Sequence, residues 1–197
     1  MPRLLLATRN AHKVKELRQM LGAREDIEIL DAAAFPAVSD PPETEETFLG
    51  NAAAKALHYA QATGLLALAD DSGLVVDALG GRPGVYSARY APTDAERIAR
   101  VLGELAGVGA GRRSARFVCA MALASPGGLV AATVGTVEGQ IAHEPRGGGG
   151  FGYDPIFHVA SHDRRLAELT MEEKNAVSHR GRALRAMLPV LVAALKG

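Results

Sequence analysis

The chain has one cysteine and no tryptophan among its 197 residues, and its aromatic complement is five phenylalanines and four tyrosines. A single Cys119 excludes an intramolecular disulfide and a cysteine-rich zinc site. Its neighbours in RFVCAMALA mark it as a small buried side chain. The six histidines show no ligand spacing with one another or with the cysteine, so zinc is not expected. An excess of one charge is missing too, because 22 basic residues balance 22 acidic ones. Such a chain has no electrostatic reason to seek duplex nucleic acid or an anionic membrane, whereas the phosphates of one nucleotide need only a local cluster. No apolar run approaches the ~18 residues of a spanning helix, and the one in MPRLLLATRN is too short for a signal peptide. A soluble, cytoplasmic protein is the expectation. Hydrophobic residues at 48% and charged ones at 22% suit one globular domain over residues 1–197, or two small lobes sharing a core.

Residues 3–7, RLLLA, read as a strand that ends at Thr8-Arg9-Asn10. From Ala11 the pattern changes: Val14, Leu17 and Met20 or Leu21 recur at helical spacing until Gly22, with Asn10 placed as N-cap. IEIL at 27–30 reads as a second strand. The acidic turn VSDPPETEET leads into an alanine-rich helix ending near Gly64. LLALA at 65–69 reads as a buried strand running into Asp70-Asp71, just before a turn at Ser72-Gly73, after which LVVDAL resumes an extended pattern. GGRPGVYSARYA is assigned to loops, 94–105 to a helix, and GVGAGRR to a loop. ARFVCAMALA and LVAATVGTVEGQIA, separated by Ser125-Pro126-Gly127-Gly128, read as a hairpin. The last helix begins near Arg180 with Leu184, Leu188, Leu191 and Leu195 on one stripe, and Pro189 should kink it. Early alternation of strands and helices with a late hairpin gives an α/β fold with a mixed sheet.

Residues 146–157, RGGGGFGYDPIF, satisfy G-x-G-x-x-G at Gly147, Gly149 and Gly152. A dinucleotide loop needs a strand before it and a helix after it. Here Pro155 disfavours a helical Asp154 and Ile156-Phe157 looks extended, so the match is accidental. No G-x-x-x-x-G-K-[ST] occurs in the chain either. What stands out instead is aromatic concentration at Phe151, Tyr153 and Phe157. Glycines beside rings let a backbone approach a flat ligand, and a ring can stack on a base; packing of these rings in the core is the equal alternative.

Three further constellations carry chemistry. Thr8 to Lys13 spans a strand-to-helix junction, where backbone N–H groups favour an anion and Lys13 adds a mobile charge; an ordinary capped helix is the rival. Asp70 and Asp71 are adjacent at a strand end, and buried neighbouring carboxylates repel unless a cation or proton compensates. Glu43, Glu45 and Glu46 sit at the start of the alanine-rich helix, where acids are favoured whatever the function. Asn51 and Lys55, four apart, share one face of that helix. Oxygen ligands beside phosphate suit Mg²⁺. In the third, Glu172-Glu173-Lys174-Asn175 precedes Ser178-His179-Arg180-Gly181, with Ser178 as N-cap. His179 and Arg180 are either donors to a base carbonyl or surface residues.

ATRNAHKVKEL, TFLGNAAAKA, ADDSGLVVDALGGRPGVYSARYA, GGFGYDPIF and EEKNAVSHRGRAL stand in the order in which such motifs occur in the Ham1-like inosine triphosphate pyrophosphatases. The chain resembles that family from residue 3 to about residue 185. The resemblance implies a long, strongly twisted mixed sheet, helical lobes on both sides and a central nucleotide cleft. It further implies a homodimer that hydrolyses dITP, ITP or XTP to the monophosphate and pyrophosphate with Mg²⁺, or Mn²⁺ in its place. Carried over by motif, Thr8, Arg9, Asn10 and Lys13 would hold the triphosphate together with Lys55. Glu43 and Asp71 would organise the metal with Asp70 in support, and Asp71 would be the base for the attacking water. Ser72, Phe151, Gly152, Tyr153, Asp154, Lys174, His179 and Arg180 would line the nucleoside end. Three departures stand out. Arg9 replaces a frequent Gly, Pro42-Glu43-Thr44-Glu45 replaces a frequent Glu-Glu-Thr-Gly, and Gly50 replaces a common Glu. Counting back from Lys55 selects Glu43 as the metal acid, with Glu46 one turn away.

Overall fold

Apolar side chains of two sizes alternate along the first strands, and that alternation decides which helices cover which face. The computed structural model describes residues 1–22 and 26–196. In chain order its main elements are β1 (Arg3–Leu6), α1 (Ala11–Leu21), β2 (Glu28–Asp31), α2 (Phe48–Thr63), β3 (Leu66–Val76) and α3 (Asp94–Glu104). They continue with β4 (Ser114–Ser125), β5 (Gly128–Ile141), β6 (Phe157–Val159), β7 (Arg164–Arg165), α4 (Met171–Val177) and α5 (His179–Lys196). The strands form one mixed seven-stranded sheet in the order β2-β1-β3-β4-β5-β6-β7. β1 lies parallel to β2 and β3, with Leu5 opposite both Leu30 and Ala67, while β6 is antiparallel to β5 and β7. The α/β class with a mixed sheet, read from the sequence, is the observed one.

The chain divides into two compact units, and β3, β4 and β5 contribute residues to both. The first comprises Met1–Asp71, Cys119–Gly135 and Arg180–Gly197. On one face of its strands Leu4, Leu6, Leu68, Cys119, Met121 and Leu123 pack with Leu17 of α1 and with Leu184, Met187 and Leu191 of α5. On the other face Ala7, Ala67, Ala69, Ala120, Ala122 and Ala124 meet Ala52, Ala56, Tyr59 and Ala60 of α2. The period of two along β3 and β4 sorts large residues to one side and alanines to the other, while on β1 Leu4 and Leu6 face one side and Leu5 the other.

The second unit, Ser72–Val118 and Thr136–His179, has its own core. It is built from Leu74 and Val76 of β3, Phe117 of β4, Val137 and Ile141 of β5, Phe157 of β6 and Val101 of α3. Arg113 is buried with them, and its guanidinium donates to the carbonyls of Ile141 (2.8 Å), Leu105 (3.1 Å) and Ala142 (3.1 Å). These carbonyls lie at the ends of α3 and β5, and that of Leu105 also accepts from Val108 N at 3.0 Å. Arg113→Met keeps the stem and removes the donors, so we expect a loss of about 3 kcal/mol in urea unfolding. A loss below about 1 kcal/mol would show that the carbonyls find other partners.

Two local expectations need correction. β3 is one strand through Asp70-Asp71-Ser72-Gly73, with no turn there. A polar, glycine-containing tetrapeptide resembles a turn, but β4 lies alongside and ladder pairing overrides the local preference. GGRPGVYSARYA is not plain loop, since Gly84–Arg89 forms a 3-10 helix. MEEKNAV is a helix, α4, with Thr170 and Glu173 forming a capping box at its start. α5 begins at His179 and is helical on both sides of Pro189.

Candidate active site

In the first unit the β1–α1 junction is built by short-range hydrogen bonds. Asn10 is the N-cap of α1: its Oδ1 accepts from the backbone N–H of His12 (3.0 Å) and Lys13 (3.2 Å). Thr8 Oγ1 accepts from Asn10 N at 3.2 Å. With that oxygen spent on the cap, the group Asn10 has left for an anion is its amide N–H₂. Arg9 behaves otherwise. Its guanidinium donates to the carbonyls of Phe35 and Val38 and faces Asp40 at 3.6 Å, and Asp40 also accepts from Tyr59 at 2.6 Å. The arginine that replaces a glycine is thus engaged by the 35–40 segment.

Pairing between β1 and β3 stops at Leu6 and Leu68. Asp70 and Asp71 therefore lie where the neighbouring strand ends, although their own strand continues. The proton affinities of the two carboxylates are shifted in opposite directions. Asp70 is fully buried, and burial alone would raise its pKa; the charges of Lys13 and Arg180 outweigh that and hold it well below the carboxylate range. Lys13 Nζ stands 3.1 Å from Asp70 Oδ2. Arg180 donates to the same oxygen through Nε (3.2 Å) and Nη2 (3.1 Å), and through Nη1 to Glu16 (2.6 Å). Asp71 has the reverse balance. Burial raises its pKa and the charge of Glu43 adds to this, against Lys13, Asn51 and Lys55.

Helix α2 supplies the partners of Asp71. Asn51 donates to Asp71 Oδ2 at 3.1 Å, and its own Oδ1 accepts from Glu45 N at 3.1 Å. Lys55, one turn on, makes a 2.5 Å ion pair with Glu43. Burial would lower the Lys55 pKa, but Glu43, with Asp70 and Asp71 behind it, raises it. It is Glu43 that meets Lys55, while Glu46 is exposed. Two of the departures from the family pattern also explain each other. A Cβ at Gly50 would stand 2.8 Å from Glu45 Cβ, so a side chain at 45 requires its absence at 50.

In the second unit Asp154 organises the aromatic loop. Its Oδ2 accepts from Phe151 N (2.9 Å) and Lys174 Nζ (2.6 Å), and the Lys174 ammonium lies over the Phe151 ring at 4.8 Å. Gly152 N donates to Asp94 at 2.8 Å. Gly150, at φ 71°, could carry no Cβ, which would fall 2.0 Å from Asp154 Oδ2. That clearance serves the protein's own carboxylate. Tyr153 belongs to the core, with its hydroxyl donating to Ser87 O at 2.9 Å, and Phe157 is wholly buried; of the three rings only Phe151 keeps a partly exposed face. Ser72 is half-buried on β3. His179 stacks on Phe117 with centroids 4.8 Å apart and planes 10° from parallel. Arg180, expected beside His179 at the nucleoside end, belongs to the first unit with Asp70. Sequence reasoning passed over Glu16, which breaks the apolar spacing of α1 next to Leu17, and Phe117, which reads as one more strand residue.

The α4 helix that carries Lys174 is held by Glu173. The carboxylate accepts from Thr170 N and from Arg164, which brings its pKa from the ordinary 4.5 to about 2. A depressed acid stabilises the fold above its unfolded value, and that contribution is lost as pH falls toward the folded one. We expect the Glu173 side-chain carbon to titrate in NMR near pH 2, with α4 fraying only below pH 4.5; a midpoint at the ordinary value would remove the cap from the account.

An α/β chain with a phosphate-type helix junction, paired strand carboxylates and lysines beside them has the features of a nucleotide-handling enzyme. Residues 4–190 match the family model of the Ham1 family, and the chain belongs to that family. It is 48% identical to the dITP/XTP pyrophosphatase of Streptomyces coelicolor over 97% of this chain and 98% of that one. With the dITP/XTP pyrophosphatase of a Nostoc species it shares 50% identity over 98% and 95%. Among solved structures it is similar to a HAM1 protein from Coxiella burnetii, with TM-score 0.88 and 47% identity over 98% of this chain and 100% of that one. The Ham1 protein of Staphylococcus aureus gives TM-score 0.86 at 35% identity, over 98% and 99%. Among the described residues no helix is long and apolar enough to cross a membrane.

Proposed function

We propose that the chain hydrolyses the non-canonical purine nucleoside triphosphates dITP, ITP and XTP to the monophosphate and pyrophosphate, and so cleans the nucleotide pool of the cytoplasm. The observation that carries this reading is a pair of adjacent buried carboxylates with different partners, Asp70 facing two cations and Asp71 the Asn51 amide. Asp70 is locked as an anion by Lys13 and Arg180. Asp71 has a raised affinity for a proton, which is what a general base near neutral pH needs. In this reading Asp71 takes the proton of a water attacking the α-phosphorus. The bond to the α–β bridging oxygen breaks, and pyrophosphate leaves with its charge met by Lys55, Lys13 and the Asn10 amide. The dITP/XTP pyrophosphatases named above support the substrate class.

Mg²⁺ fits the donors of the first unit. Asp70 is committed to the charges of Lys13 and Arg180, and we leave it out of the ligand set we propose. Glu43 and Asp71 repel one another, and a divalent ion held by one or two carboxylates and the substrate's phosphates relieves such repulsion. When bound, it would neutralise charge on the phosphoryl oxygens. In the second unit Phe151, Gly152, Asp154, Lys174 and His179 are proposed to read the base, with a donor meeting the 6-oxo group that adenine replaces by an amino group. We further propose one catalytic domain over residues 1–197, acting as a homodimer, which sedimentation would test. The deciding experiment is a panel of ITP, XTP, GTP, ATP and methylated UTP with product identification, with and without Mg²⁺ or Mn²⁺. Pyrophosphate from ITP and XTP is expected; orthophosphate from ITP as the sole phosphate product would end the proposal.

A further inference from the structure

We infer that Phe117 is a positioning residue for base discrimination, acting through His179; the inference rests on the reading above in which His179 faces the base. The imidazole is the first side chain of α5, so its backbone is fixed by the helix. Its ring plane is not, because the torsion about an sp³–sp² bond is broad and roughly two-fold. Phe117 holds that plane from one side: its ring lies 4.8 Å away and within 10° of parallel. Phe117 is itself held, 4.7 Å from the Phe157 ring and tilted by 50° to it. Phe157 has its place because position 139 on β5 is a glycine, where a Cβ would come within 2.7 Å of the ring's Cε1 and Cζ. A chain of contacts from β5 through β6 and β4 thus ends at the imidazole.

The consequence for chemistry is directional. An imidazole N–H lies in the ring plane, so the plane fixed by Phe117 sets the line along which His179 can donate. A 6-oxo group accepts along that line and a 6-amino group cannot. If the imidazole could swing, it would leave the accepting base without a well-aligned donor and lose the distinction. Phe117 touches no substrate in this account and acts only through the histidine.

The test is the ratio of kcat/KM for ITP to that for ATP, since damage to folding lowers both values and leaves the ratio alone. Phe117→Leu and the better-filling Phe117→Met should each lower it roughly three- to tenfold. Phe117→Tyr, which keeps an aromatic face, should restore it. In a double variant with His179→Ala the ratio should equal that of His179→Ala alone, the mark of two residues acting as one. If His179→Ala lowers the ratio while both Phe117→Leu and Phe117→Met leave it unchanged, the positioning role is refuted and the histidine's role stands. If His179→Ala itself leaves the ratio unchanged, the base-reading role of the histidine falls and takes the inference with it.

Discussion

Asp71→Asn is expected to lower kcat for ITP about 10³-fold while leaving ITP binding measurable by calorimetry. Asparagine has the shape of aspartate and can offer its carbonyl oxygen to Asn51, the 3.1 Å partner of Asp71. What it cannot do is accept the proton of the attacking water. The same substitution removes the burial penalty and the repulsion from Glu43 that raise the pKa of Asp71, so the variant should melt no lower than the parent. A dead enzyme of undiminished stability would identify Asp71 as a group kept for chemistry at a cost to the fold. A kcat within about tenfold of the parent would exclude the base role.

Arg180→Met should have the largest effect on stability. The side chain is 1% exposed, between Asp70 and Glu16, which are equally buried. Methionine fills much of the same volume but takes from both buried carboxylates the guanidinium that they share. Removing one partner from such a network costs about 3–5 kcal/mol, which lowers the melting temperature of a chain of this size by roughly 10 °C. Calorimetry checks it, and a shift below about 2 °C would show that the carboxylates are not held by Arg180. Activity should fall as well, since Asp70 would then draw harder on Lys13, a proposed phosphate ligand.

Much of this was legible in the chain itself, for local reasons. The Asn10 cap, the Gly64 stop of α2 and the β4–β5 hairpin depend on residues within a few positions, and the structure has all three. Lys55 and Asn51 share a face because a helix repeats every 3.6 residues, and both reach carboxylates. Opacity began where partners are far apart. Glu16 and Arg180 are 164 positions distant, and nothing around Glu16 announces a buried cation. Asp70-Asp71-Ser72-Gly73 has the composition of a turn, and only β4 beside it makes it a strand. Tyr153 was evenly divided between ligand and core; a carbonyl 66 positions away decided for the core. α4 has seven residues and too few apolar ones to show a period.

The alanine face of the first unit has a meaning for the proposed catalytic residues beyond packing. Asn51 and Lys55 are carried by the same helix whose Ala52, Ala56 and Ala60 rest on Ala67, Ala69, Ala120, Ala122 and Ala124. Alanine has no rotamers, so this contact has no alternative arrangement through which the helix could settle nearer or farther. It acts as a spacer gauge. The gap between the lysine on α2 and the aspartates on β3 is kept small where alanine meets alanine, with Leu5, Tyr59 and Leu65 filling the same face, and an added methyl on the strand side would widen it.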